Sequence, residues 1–176
     1  MFRIQKLDLL VAVYITCIAL SELMGAKTFP LAKIFGYQLN ASVGIFVVPL
    51  IFTINDIIVE VHGAERARSI IRSGLLSIFM IFLFSFLATM LPPSMRFAGK
   101  EGAYDAIFGL STRLAAASLI AFAIAEFFDV FVFAALRKKL KNRGLWLRNN
   151  LSNFGSQLLD TFIFITLAFY AIDKSF

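Results

Sequence analysis

A chain of 176 residues that is 60% hydrophobic, with 21 phenylalanines and a mean hydropathy of +0.84, carries more apolar surface than a soluble domain can hide, since a domain of this length buries only about 70% of its unfolded surface. That excludes a water-soluble globule, a disordered chain and a disulfide scaffold, and leaves a membrane protein. The net charge of +6, with a pI near 9.7, is explained without nucleic acid, because lysine and arginine meet anionic headgroups and hold loops in the cytoplasm.

Five runs reach the roughly 20 helical residues that span about 30 Å of hydrocarbon. They predict an all-α, polytopic transmembrane helical bundle, a single domain over residues 1–176 without internal repeats. The first run is Leu7 to Gly25. Arg3 and Lys6 give it a short basic lead, but Glu22 lies inside it and no convincing small-residue cleavage site follows, so it reads as a retained helix. Cys17, the single cysteine, sits within it as a small buried hydrophobe. Residues 27–40, KTFPLAKIFGYQLN, are too short and too polar to cross. With Pro30, Gly36 and the apolar Phe29, Leu31, Ile34 and Phe35, they read either as a short re-entrant segment or as an interfacial loop.

The next spans are Ser42 to Val61 and Ser69 to Leu91. Within the latter, GLLSIFMIFLFSFLATML is apolar on every side, unlike the alternating strand of a barrel. Residues 92–105, opening with Pro92 and Pro93, form a connector or a lid, and the last spans are Thr112 to Leu136 and Leu151 to Ala171. An internal N-terminus places Arg3, Lys6, Arg66, Arg68, Arg72 and the block from Arg137 to Arg148 inside. Fewer cations then face outward, which sets the orientation.

Carboxylates within the spans are the informative residues, because one at the centre of a helix costs about 2.5–3.5 kcal/mol on insertion scales. Asn55, Asp56 and Glu60 form a stripe at the inner end of the second span. Glu126 and Asp129 share a face of the fourth at i, i+3, and Gln157, Asp160 and Thr161 share one on the fifth. Asp129 can pair instead with Arg137 or Arg148, and Asp56 and Glu60 with Arg66 or Arg68 across the turn at Gly63. Glu126 and Asp160 lie too deep in their spans to snorkel to water at about 1.5 Å per residue, and so point to ligand or proton chemistry.

His62 stands alone, so no metal or other cofactor is expected. No GxSxG element or paired histidines support an enzyme. Ala117, Ala121 and Ala125 offer a small-residue face for helix packing or for a homodimer. Acids and amides beside Phe122, Phe127, Phe133 and Phe154 suit a planar solute with hydrogen-bond donors, its ring stacked on aromatic faces.

TINDIIVEVHGAERARSII at 53–71, RLAAASLIAFAIAEFFDVFVF at 113–133 with Arg137 after it, and LWLRNNLSNFGSQLLDTFIFITLAFY at 145–170 resemble, in order, the queuosine-precursor transporter family, also called vitamin uptake transporters. The resemblance implies import of 7-cyano-7-deazaguanine, 7-aminomethyl-7-deazaguanine or queuine across the bacterial inner membrane. On matching positions it implies Asn55, Asp56, Glu60, Asp129, Asn150, Gln157 and Asp160 as pocket or coupling residues. It also implies Arg66, Arg68, Arg137 and Arg148 as cytoplasmic anchors. Where relatives have a Ser-Gln pair this chain has Ala125 and Glu126, an amide replaced by an acid. Relatives usually continue past the fifth helix into a sixth, whereas five spans are expected here. The expected mechanism is secondary, proton-coupled transport by alternating access, with membrane lipid and a deazaguanine as partners. The alternative is a substrate-binding subunit of an energy-coupling-factor vitamin importer, and a non-transporting membrane scaffold is a third class.

Overall fold

The computed structural model describes residues 5–140 and 145–170, with the side chains at 64, 126, 129–130, 133–134, 136–140 and 145–153 outside the described set. Two compact units divide the chain, Met1–Ala115 and Ala116–Phe176. In order come α1 (Lys6–Met24), β1 (Thr28–Ile34), β2 (Tyr37–Ser42), a 3-10 turn (Val43–Phe46), α2 (Val48–His62), α3 (Ala64–Met90), a second 3-10 turn (Ala98–Lys100), α4 (Glu101–Leu140) and α5 (Leu145–Phe169).

The five expected spans all fall on helices, and this is a helical, multi-pass membrane protein. Among the described residues, Lys6–Met24, Val43–His62, Glu65–Met90 and Ala98–Ala125 are long and apolar enough to cross a bilayer, and Phe154–Phe169 is a shorter apolar helix. Helix limits differ from the sequence reading at several places: α2 begins at Val48 rather than Ser42, after a 3-10 turn, and α5 at Leu145 rather than Leu151. Helix α3 begins at Ala64 rather than Ser69, and α4 begins at Glu101 rather than Thr112, absorbing part of the predicted connector. Glu65, Arg66, Glu101 and Asp105, which lay outside the predicted spans, fall within these helices because a charged side chain does not interrupt backbone hydrogen bonding.

The fold is not purely helical. Residues 28–42, expected as a re-entrant or interfacial segment, pair as an antiparallel hairpin with Thr28 opposite Ser42 and Ile34 opposite Tyr37. Its base is tied to the helix before it: Val43 donates its N–H to the Lys27 carbonyl at 2.9 Å, and the Ser42 hydroxyl donates to the Gly25 carbonyl while accepting from the Gly44 N–H. Such ties satisfy backbone groups that a membrane surface would otherwise leave exposed.

Helices α1, α2 and α3 pack mutually in the first unit around Tyr14, Ile18, Ile54, Ile58, Ala67 and Ile70. Ile58 and Ala67, then Ile54 and Ile70, lie at growing distance on either side of Gly63, so α2 and α3 run antiparallel from a one-residue link. Gly63 has φ +83° and ψ 163°, a region essentially reserved for glycine. At Gly74 a Cβ would come within 2.7 Å of Ile18 Cδ1 and 3.2 Å of Tyr14 Cε1, so its missing side chain lets α3 approach α1 closely. The start of α4 joins this unit through Ser111, whose hydroxyl donates to the Leu23 carbonyl at 3.0 Å.

Hydroxyls along the spans are satisfied by their own helices. Thr16 donates to the Ala12 carbonyl, Thr53 to Pro49, Ser73 to Ser69, Ser77 to Ser73 and Thr112 to Phe108, each one turn back. This keeps polar side chains compatible with an apolar surround. In the second unit, Gly155 of α5 sits where a Cβ would lie 3.3 Å from the ring of Phe128 on α4, and Ala117, Ala121 and Ala125 are buried within the chain. Cys17 is buried, as its apolar setting implied.

Candidate functional site

In the first unit the polar stripe lies on the last three turns of α2. Ile54 and Ile58 turn into the three-helix core, which rotates Asn55 to a half-buried flank and sends Asp56 and Glu60 to the opposite, exposed face. Asp56 and Glu60 are one turn apart and share that face. Neither forms an ion pair with Arg66 or Arg68 among the described residues, which removes the pairing considered from sequence. For Arg68 a rotational reason is visible: Ala67 and Ile70 face the core, which puts Arg68 on the exposed side of α3, as Ile54 and Ile58 put both acids on the exposed side of α2. Two carboxylates without a cation between them can take a donor group or a proton.

In the second unit the informative helix is α5. Ser156 is buried, Asp160 half-buried, and Gln157 and Thr161 exposed. Spacing of three and four residues brings Gln157, Asp160 and Thr161 to one face. Nine residues separate Asp160 from the end of α5 at Phe169, roughly 13 Å at the helical rise. A carboxylate that far in requires a polar neighbour or a water-filled space. Gln157 lies one turn away, and its amide both donates and accepts. Gly155, on the preceding turn, holds α5 against Phe128 of α4.

Glu126 and Asp129 lie on α4 and Asn150 on α5, and their side chains are outside the described residues, as are those of Arg137, Arg148 and Phe133. Of the aromatics expected to line an interior, Phe122 is half-buried, but Phe127 is 81% and Phe154 62% exposed. An aromatic ring on a spanning helix is stable against lipid, so hydrophobicity alone did not fix its direction.

Two acids escaped the sequence reading. Glu22, treated there only as an argument against a leader, is buried in the last turn of α1 at 7% exposure. The rule applied to Asp160, that an acid within an apolar span must be accounted for, would have found it. Asp105 sat in the predicted connector, yet its Oδ1 is buried on α4 without a hydrogen-bond partner among the described residues. No group of three or more His, Cys, Asp or Glu suited to a metal ion occurs among those residues.

Residues 42–176 match the family model described as "Putative vitamin uptake transporter". The chain is 34% identical over 142 residues, 80% of its own length and 60% of the relative's, to the "Probable queuosine precursor transporter" of Bacillus subtilis (strain 168). It is 32% identical over 135 residues, 76% of its length and 54% of the relative's, to the protein of the same name from Haemophilus influenzae. It is 31% identical over 136 residues, 76% of its length and 57% of the relative's, to the "Queuosine precursor transporter" of Escherichia coli (strain K12). The chain thus spans between 54% and 60% of the length of these curated relatives. No solved structure matches it.

Proposed function

The chain belongs to the vitamin uptake transporter family, and from that premise we propose that it imports a queuosine precursor, a 7-deazaguanine base, across the bacterial inner membrane. The observation that carries this reading is the shared name of three relatives, each at least 31% identical over three quarters or more of the chain. The chemistry of α5 supports it. A deazaguanine presents a flat ring with several N–H donors, and a carboxylate and an amide one turn apart are complementary to such an edge.

In this reading Asp160 accepts the ring donors and Gln157 orients the base, with Glu126, Asp129 and Asn150 completing the set within the second unit. Hydrogen bonds to a charged acceptor contribute about 1.5–3 kcal/mol each. A site built on them rejects analogues that leave its groups unpaired. Asp56 and Glu60 serve coupling in the first unit, one of them taking a proton as the site is exposed alternately to either side, with the neutral amide of Asn55 on the adjoining flank as a hydrogen-bonding group. No separate energised scaffold is required in this scheme, which distinguishes it from a substrate-binding subunit of an energy-coupling-factor importer.

Expression in a bacterium unable to make the precursors, supplied with the free deazaguanine, tests the proposal. The expected result is queuosine restored in tRNA. Absence of queuosine, with the protein confirmed in the membrane, overturns it. Uptake by the isolated chain in proteoliposomes driven by a pH gradient tests the coupling.

A further inference from the structure

The hairpin of residues 28–42 is unlike the rest of the molecule. It is the one β element among the described residues, and it is exposed over most of its length. Paired residues of antiparallel strands share a face, and successive residues alternate. Ile34 pairs with Tyr37, Ala32 with Leu39 and Phe29 with Ala41, so these six apolar side chains occupy one face. Lys33 pairs with Gln38, Pro30 with Asn40 and Thr28 with Ser42, which makes the other face polar.

This segregation depends on a bulge. The register slips between Pro30 and Ala32, leaving Leu31 unpaired. A one-residue slip exchanges the two faces of a strand. Without it, Phe29 would point with Lys33 rather than with Ala32 and Ile34. The side-chain amide of Gln38 donates to the carbonyls of Ala32 and Leu39, both at 3.1 Å, and so fastens the strands beside the irregularity. The tip is Phe35-Gly36 with φ +49° and +85°, the positive pair that a tight two-residue turn requires. Phe35 is held there at 98% exposure despite its ordinary aversion to that backbone region.

The apolar face is continuous with surface that belongs in a membrane. Phe29 stacks on Phe46 with ring centroids 5.6 Å apart and planes 10° from parallel, and Phe46 lies in the first turn of the crossing stretch Val43–His62. The hairpin starts four residues after α1 ends and stops one residue before that stretch begins. Both of its ends are therefore fixed at one bilayer surface, and its strands are about 20 Å long. Lys27, at the base of the hairpin, is exposed and supplies charge complementary to anionic headgroups.

From this register and continuity we infer that the hairpin lies flat on the bilayer that α1 and α2 cross. Its Ala32, Ile34, Tyr37 and Leu39 face enters the boundary between headgroups and acyl chains, the Phe35 tip enters with it, and Lys33, Gln38 and Asn40 face the aqueous side. The occupant of the apolar face is phospholipid, not a second protein. The inference stands apart from the identity of the transported solute.

Spin labelling of the whole protein in vesicles of phosphatidylethanolamine and phosphatidylglycerol tests it. Cys17→Ala removes the single native cysteine, and nitroxides at Leu39→Cys and Gln38→Cys then report opposite faces at adjacent positions. The expected ratio of oxygen to nickel-chelate accessibility is several-fold higher at position 39 than at 38. Equal ratios, the reverse order, or dipolar broadening at position 39 that marks a second copy would overturn it. Tyr37→Cys and Asn40→Cys repeat the contrast if either first variant fails to fold, as judged by helical circular dichroism.

Discussion

Ser111 and Leu23 are joined by a 3.0 Å hydrogen bond from hydroxyl to backbone carbonyl, linking α4 to the last turn of α1 across 88 residues of chain. The Ser111 side chain is fully buried. Its second acceptor, the Ile107 carbonyl at 3.3 Å, lies in its own helix and adds nothing between helices. Ser111→Ala is therefore expected to lower stability by about 1 kcal/mol, the usual size of an interhelical hydrogen bond in a membrane. Thermal unfolding in detergent measures this, and an unchanged midpoint would assign the bond no net weight.

Two glycines are expected to fail for different reasons. At Gly63 nothing lies within 4 Å of an added Cβ, yet φ is +83° and ψ 163°, so Gly63→Ala costs about 1–3 kcal/mol from backbone strain alone. At Gly74 the backbone is helical and Ile18 Cδ1 is in the way. Gly74→Ala is expected to be partly rescued by Ile18→Val, which removes that methyl, so the double mutant is less destabilised than the two singles added together. Gly63→Ala gains nothing from the same partner. Equal rescue of both would contradict the assignment.

Under the proposed function, Asp160→Asn is expected to reduce uptake of a 7-deazaguanine by roughly 10- to 100-fold, and Gln157→Ala, which loses a neutral hydrogen bond, by roughly 3- to 10-fold. For Asp160 that is the loss of one charge-assisted hydrogen bond of about 1.5–3 kcal/mol. Initial rates in proteoliposomes at several solute concentrations check it. Rates within a factor of two of the parent would remove these residues from the binding set.

Asp56→Asn and Glu60→Gln separate coupling from structure. Both acids are exposed and form no ion pair among the described residues, so stability is expected to change by no more than about 0.5 kcal/mol. Under the proposed function, accumulation driven by a pH gradient falls while equilibrium binding of the deazaguanine persists. Loss of both binding and accumulation would place the acids in contact with solute instead.

The spans were legible because 20 apolar residues in a row have few alternatives, and all five coincide with helices. Helix ends were less so. Pro92 and Pro93 suggested a connector over residues 92–105, but the backbone is already helical from Glu101, since a helix continues into water as long as its hydrogen bonds are undisturbed. The hairpin was hidden by its bulge: with Leu31 unpaired, alternation along residues 28–34 breaks in the middle and no simple period remains. Helical spacing correctly grouped Gln157 with Asp160. It did not reveal that Glu22 is buried, since one acid in a span signals its position only through what packs around it.

A link of one residue between α2 and α3 leaves the two helices no slack. With Gly63 fixed at their junction and Ile58 against Ala67 beside it, neither helix can slide along the other, and each can tilt only by carrying its neighbour. The pair behaves as a stiff hairpin pin driven through the bilayer, with Glu60, His62, Glu65 and Arg66 as its polar head.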